Sequence, residues 1–281
     1  MVYTKNMKKL IVGALAVVLL VGGLTVAINK KHPPKLETRN KQLYVALGDS
    51  VAAGLGLKDY IDPSACNRTH QAYPQLVAVK HSYQLVNLAC SGAKSDAGIL
   101  STQTVNEASV KPQLSQLFAL PKPKLITITI GANDMGWTDI LTKCYVSACG
   151  DYADTALVDK NLDNLQTNLV QIFTQMTQHY PSQKPSVIVT GYYQLLPASL
   201  QQCPEMSGLD DVELAWERNQ QTKLNDMIKT SAANFNFVSY VPAGFDGHEL
   251  CTDESWVQNI SASAPFHPNT AGQMQYARDI K

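Results

Sequence analysis

The 281-residue chain has no C-x-x-C pair, no G-x-S-x-G turn, no internal repeat and no low-complexity tract. The first absence argues against thioredoxin-like redox sites and the common zinc sites, although there are six cysteines. The second excludes the nucleophile elbow of the α/β-hydrolases, and the third excludes a repeat architecture. Charged residues are few, at 16%, against 45% hydrophobic. Disorder is therefore not expected, and the length suits one large α/β domain or two small ones. Net charge is zero, but residues 1–31 hold five lysines and no acid, so the remainder has 18 basic against 23 acidic residues. That mildly acidic remainder argues against a nucleic-acid partner.

What is present begins with an export element. Nineteen uncharged residues run from Leu10 to Ile28, with Lys5, Lys8 and Lys9 before them and Lys30 and Lys31 after. At about 1.5 Å per residue the run just spans a hydrocarbon layer of ~30 Å, which suits a retained membrane anchor. Thr25-Val26-Ala27 equally suits a cleaved signal peptide. No cysteine follows to carry a lipid. Residues 1–31 are thus read as signal or anchor, residues 32–42, with Pro33-Pro34, as a polar tether, and residues 43–281 as the folded domain. All six cysteines lie beyond the apolar run, which points to disulfides outside the cytoplasm, with the pairing open at this stage.

Five strand-sized runs rich in β-branched or aromatic residues follow: Leu43–Leu47, Gln84–Leu88, Leu125–Ile130, Ser186–Thr190 and Phe237–Val241. Apolar residues stepping by three and four from Val158 to Tyr180 predict a long amphipathic helix over Asp154–Tyr180, and a second is predicted over Asp211–Ala233. Alternating strands and helices imply an α/β fold with a central parallel sheet of about five strands and helices on both faces, a flavodoxin-like three-layer sandwich. Such sheets gather reactive groups at the carboxyl ends of their strands.

Three of those ends carry suggestive residues. Gly48-Asp49-Ser50 follows the first strand and offers a nucleophile at a helix start. Ala89-Cys90-Ser91-Gly92-Ala93 follows the second, where Gly92 can present a backbone N–H. Gly131-Ala132-Asn133-Asp134 follows the third, where Asn133 can donate from its side chain. Singly, each is an ordinary turn or cap. Together they supply the parts of an oxyanion hole. Of six histidines, His267 is the best base, because His267-Pro268-Asn269 stands before a final helix. His248, in a glycine-flanked loop, is the weaker rival.

These blocks, in this order over residues 43–280, resemble the SGNH (GDSL) hydrolases. Ala65-Cys66-Asn67-Arg68, Ala72-Tyr73-Pro74 and Asn87-Leu88-Ala89-Cys90-Ser91-Gly92 are most similar to disulfide-bearing secreted lipases and esterases of actinobacterial type. The resemblance implies a serine esterase or lipase with Ser50 as nucleophile and His267 as base. The oxyanion hole would be Ser50, Gly92 and Asn133, and no metal or organic cofactor would be needed. It also implies the pairs Cys66–Cys90, Cys144–Cys149 and Cys203–Cys251. The family usually has Asp three residues before the histidine, whereas this chain has Ala264. The expectation is a Ser/His dyad whose histidine is oriented by a main-chain carbonyl, that of Ala264. A small ester or lipid is the expected substrate, with acylated cell-surface polysaccharide or an inactive binding module as alternatives. The expected location is extracellular or at the cell surface, with the membrane as a partner if residues 10–28 are retained.

Overall fold

The computed structural model describes residues 41–62, 66–201 and 203–281. The apolar run and most of the tether lie outside these residues. The central sheet has five parallel strands: β1 (Leu43–Gly48), β2 (Gln84–Asn87), β3 (Leu125–Thr129), β4 (Ser186–Thr190) and β5 (Val238–Val241). Their spatial order is β2-β1-β3-β4-β5. Tyr44 to Leu47 and Ile126 to Ile128 have no exposed surface, so both faces of the sheet centre are covered. Continuous apolar runs, rather than alternation, are what such doubly covered strands require.

The helices are α1 (Ser50–Ala53), α2 (Tyr73–His81), α3 (Gln113–Phe118), α4 (Ala132–Met135), α5 (Trp137–Val146), α6 (Tyr152–His179), α7 (Asp211–Ala233) and α8 (Thr270–Asp279). α6 and α7 pack on each other, as do α2 and α8, completing the three-layer α/β fold. The long helix expected over Asp154–Tyr180 is α6, which starts two residues earlier. Asp151 caps it by accepting the Asp154 N–H at 2.8 Å. Val158, Leu162, Leu165, Leu169, Ile172, Phe173 and Met176 form its buried stripe. α7 begins where expected because Asp210 and Glu213 close a capping box. Apart from the final helix, α8, the sequence pattern does not mark the remaining helices.

The strand order places the site. After β1 the chain moves to one side to form β2, then returns past β1 to form β3. The crevice of such a sheet lies where this reversal separates the loops leaving β1 and β3. Ser50 leaves β1 and Asn133 leaves β3. The six cysteines form three disulfides, Cys66–Cys90, Cys144–Cys149 and Cys203–Cys251. The first ties the segment after α1 to the loop that carries Gly92.

Candidate active site

Ser50 opens α1, and its presentation depends on the residues before it. Gly48 has φ +142°, and a Cβ there would lie 2.3 Å from the Thr129 carbonyl oxygen, so only glycine fits where β1 leaves the sheet. Gln113 holds Gly48 by both of its main-chain polar groups, accepting from Gly48 N–H at 2.8 Å and donating to Gly48 C=O at 2.9 Å. Asp49 caps α1 by accepting from Val51 N–H at 2.9 Å, and Tyr192 donates its hydroxyl to the other carboxylate oxygen. Burial pushes the Asp49 carboxyl up to about 7, partly offset by the Tyr192 and Val51 bonds.

The Ser50 hydroxyl lies 2.7 Å from His267 Nε2. His267 Nδ1 lies 2.9 Å from the carbonyl oxygen of Pro265. A carbonyl only accepts, so Nδ1 carries the proton and Nε2 is left with its lone pair towards Ser50. Burial lowers the His267 pKa below its ordinary value, against weaker support from the Pro265 and Ala264 carbonyls.

The nearer acceptor is the Pro265 carbonyl, and the expected Ala264 carbonyl adds only the weaker support. The Ala264 carbonyl is engaged by the main-chain N–H of His267 at 3.4 Å, closing a four-residue turn. Proline stands second in this turn and Phe266 third, with φ +67°, the pattern of a type II turn. Such a turn directs the carbonyl of its second residue away from the closing hydrogen bond. That brings the Pro265 oxygen nearest the imidazole. The turn is held from outside: Phe266 N–H donates to Gln258 C=O at 2.9 Å, Gln258 N–H donates to His267 C=O at 2.8 Å, and Tyr193 donates its hydroxyl to the Phe266 carbonyl. Asn269 caps α8 by accepting from Ala271 and Gly272.

Ser50, Gly92, Asn133, Ala264 and His267 border a single cavity of about 580 Å³. Asn133 Nδ2 donates to Ala93 C=O at 2.9 Å, which places the amide beside the Gly92 loop. Asp134 clamps the same two loops. Its carboxylate accepts the Ser95 N–H at 2.9 and 3.0 Å and also the Ser95 hydroxyl, while Asn168 of α6 donates to that hydroxyl at 2.9 Å. Trp137, Leu141, Leu195 and Leu224 give the cavity an apolar wall from α5, α7 and the segment after β4. His248 lies outside it, stacked on Trp256 and facing the Glu254 carbonyl at 2.7 Å. Asp246, Glu249, Asp253 and Glu254 do not border the cavity either.

The apolar wall, the Asp134 clamp and Tyr192-Tyr193 were not singled out from the sequence. The tyrosines stand at the carboxyl end of β4, so the rule that found Ser50, Gly92 and Asn133 also pointed there.

A model of the GDSL-like lipase/acylhydrolase family matches residues 46–274. The chain belongs to this family. It is 30% identical over 241 residues to Lipase 1 of Streptomyces coelicolor, covering 82% of each protein. The fold is similar to the crystal structure of an extracellular lipase from Streptomyces rimosus, with a TM-score of 0.69 and 27% identity over 85% of this chain and 98% of that one. It is also similar to that of phospholipase A1 from Streptomyces albidoflavus, with a TM-score of 0.66, 27% identity and the same coverages. Family membership and these relatives make the chain a carboxylic ester hydrolase. The family match and these structures cover most of the described region.

Proposed function

We propose that the chain is an exported esterase or lipase that works through an acyl-enzyme on Ser50. The observation that carries this reading is the hydrogen-bonded series from Ser50 Oγ through the His267 ring to the Pro265 carbonyl, beside Gly92 and Asn133. His267 Nε2 takes the Ser50 proton as Oγ bonds to the ester carbonyl carbon. The carbonyl becomes an oxyanion, stabilised by the N–H groups of Ser50 and Gly92 and the Asn133 amide. Collapse breaks the bond to the alcohol oxygen, which takes the proton from His267. Water, deprotonated by the same nitrogen, then releases the acid and restores Ser50. The Pro265 carbonyl steadies the imidazolium through Nδ1–H, a role a carboxylate has in triads. This removes the motive for an inactive binding module, which was the missing Asp.

The apolar wall of Trp137, Leu141, Leu195 and Leu224 suits an acyl chain, and the relatives' names as lipases and a phospholipase point the same way. Export is supported by the apolar run at residues 10–28, by three disulfides, and by a relative described as extracellular. The run serves as a cleaved signal or as an anchor joined to the domain by the tether. The test is hydrolysis of a p-nitrophenyl ester series by residues 41–281, beside Ser50→Ala and labelling with a fluorophosphonate. Parent activity should depend on acyl length, and Ser50→Ala should lose both hydrolysis and labelling. Retained hydrolysis in Ser50→Ala would overturn the mechanism.

A further inference from the structure

A second cleft, of about 700 Å³, lies at the opposite end of the sheet. It is formed where the chain enters the strands. Gln42 precedes β1, Lys122 and Lys124 precede β3, Gln183 and Lys184 precede β4, and Phe237 precedes β5. Three lysines border it and no carboxylate does, in a domain whose acids outnumber its bases. Among the described residues, none of the three forms an ion pair, and two are held by uncharged neighbours. Lys122 Nζ donates to the Gln183 side-chain oxygen at 2.8 Å, and Lys184 Nζ stands 5.9 Å from the centre of the Phe237 ring. The backbone beneath is fixed by Lys124 N–H to Leu43 C=O at 2.7 Å and Val187 N–H to Phe237 C=O at 3.0 Å. This is a positively charged recess with no carboxylate along its walls.

We propose that this recess docks on an anionic phospholipid surface. Two observations select that occupant. Phosphate headgroups complement three lysines in a recess with no carboxylate in its lining. The chain enters the recess at Gln42 directly from a segment carrying Lys30, Lys31, Lys35, Arg39 and Lys41 against the single acid Glu37, with the apolar run of residues 10–28 before it. The twelve residues from 29 to 40 span at most about 40 Å when extended, so a retained anchor keeps this face close to the bilayer. All five strands run parallel, with the lysines at their amino ends and Ser50, Gly92 and Asn133 beyond their carboxyl ends. Docking therefore turns the catalytic mouth away from the bilayer, and ester substrates reach it from the outward side. The location rests on the proposed export, whereas the lipid affinity does not depend on the esterase reading at all.

The experiment is co-sedimentation of residues 41–281, which hold the whole sheet and the catalytic cavity, with phosphatidylcholine vesicles with and without phosphatidylglycerol. Each lysine near an anionic bilayer strengthens binding roughly fivefold, so three should favour the anionic vesicles on the order of 100-fold. Lys122→Gln, Lys124→Gln and Lys184→Gln should each cost part of this preference and together abolish it. Hydrolysis of a soluble ester should be unchanged in these variants and in the vesicle-bound parent. The proposal is overturned by equal binding to both vesicle types, by absent binding to the anionic ones, or by full binding of the triple variant. Displacement by inorganic phosphate, beyond that caused by chloride of equal ionic strength, would reveal a small-anion site and overturn it too. Inhibition of soluble-ester hydrolysis on docking would overturn the orientation.

Discussion

At the scale of single residues, the site replaces a carboxylate with a peptide carbonyl. The carbonyl carries only a partial charge, but it sets the tautomer as firmly, since it accepts and cannot donate. Asp246, Glu249, Asp253 and Glu254 should therefore be dispensable, each alanine variant keeping kcat within about tenfold, while His267→Ala removes nearly all activity. A loss on the order of 10³ at one acid, with the fold intact by circular dichroism, would expose a hidden triad. Asn133→Ala should lower kcat by about 10² to 10³, the range for one lost oxyanion donor. The pH profile follows from burial of the ring. Because the lowered pKa keeps His267 neutral into mildly acidic solution, the acid limb of kcat/KM should have its midpoint below the ordinary histidine value. A midpoint near 7 would instead report Asp49, whose carboxyl titrates at about that pH beside the nucleophile.

At the scale of elements, the two loops that bear the proposed oxyanion donors come from different strands and need a common brace. Asp134 provides it, with three contacts to Ser95 and Asn168 standing behind. Asp134→Ala should lower kcat by roughly 10 to 10², the cost of misplacing catalytic groups by about an ångström, with little change in KM. Ser95→Ala keeps the main-chain half of the brace and should do less. An Asp134→Ala variant that folds and turns over like the parent would show the brace to be structural only. The strands and the two long helices were legible in the sequence because β-branched runs and three-four spacing report burial directly. The chemistry was legible because parallel strands deliver it to one end. Helix α5 and the apolar wall were not, since Trp137 and Leu141 become a wall only when α7 and the segment after β4 pack opposite. The orienting carbonyl was placed one residue early for a related reason. Which oxygen faces the ring depends on the backbone angles of the 264–267 turn, and residue types do not encode them at that resolution.

At the scale of the whole molecule, two buried carboxyls set an unusual dependence of stability on pH. Burial raises Asp49 to about 7 and Glu217 to about 8. Glu217 is 1% exposed, one carboxylate oxygen has no partner, and the other lies 3.2 Å from Cys144 Sγ. That sulfur is in a disulfide and has no hydrogen to give, so the contact suits a protonated Glu217 donating to it. A carboxyl whose folded pKa is raised stabilises the native state fully below its unfolded value and loses that contribution as pH rises through the folded value. For Glu217 the window runs from 4.5 to about 8, and for Asp49 from 3.8 to about 7. In the partly exposed Lys143–Asp154 ion pair the lowered Asp154 pKa acts in the opposite sense, but it does so below 3.8 and so outside this window. Stability should therefore fall from mildly acidic to mildly alkaline solution. Glu217→Gln keeps the volume and removes the titration. Its melting temperature should match the parent's near pH 4 and exceed it by roughly 5 to 10 °C above pH 8, as expected for a few kcal/mol in a domain of this size. Thermal melts of both proteins across that range decide the matter. A difference of the same size at both ends would mean the substitution acts through packing, with Glu217 ionised as in water.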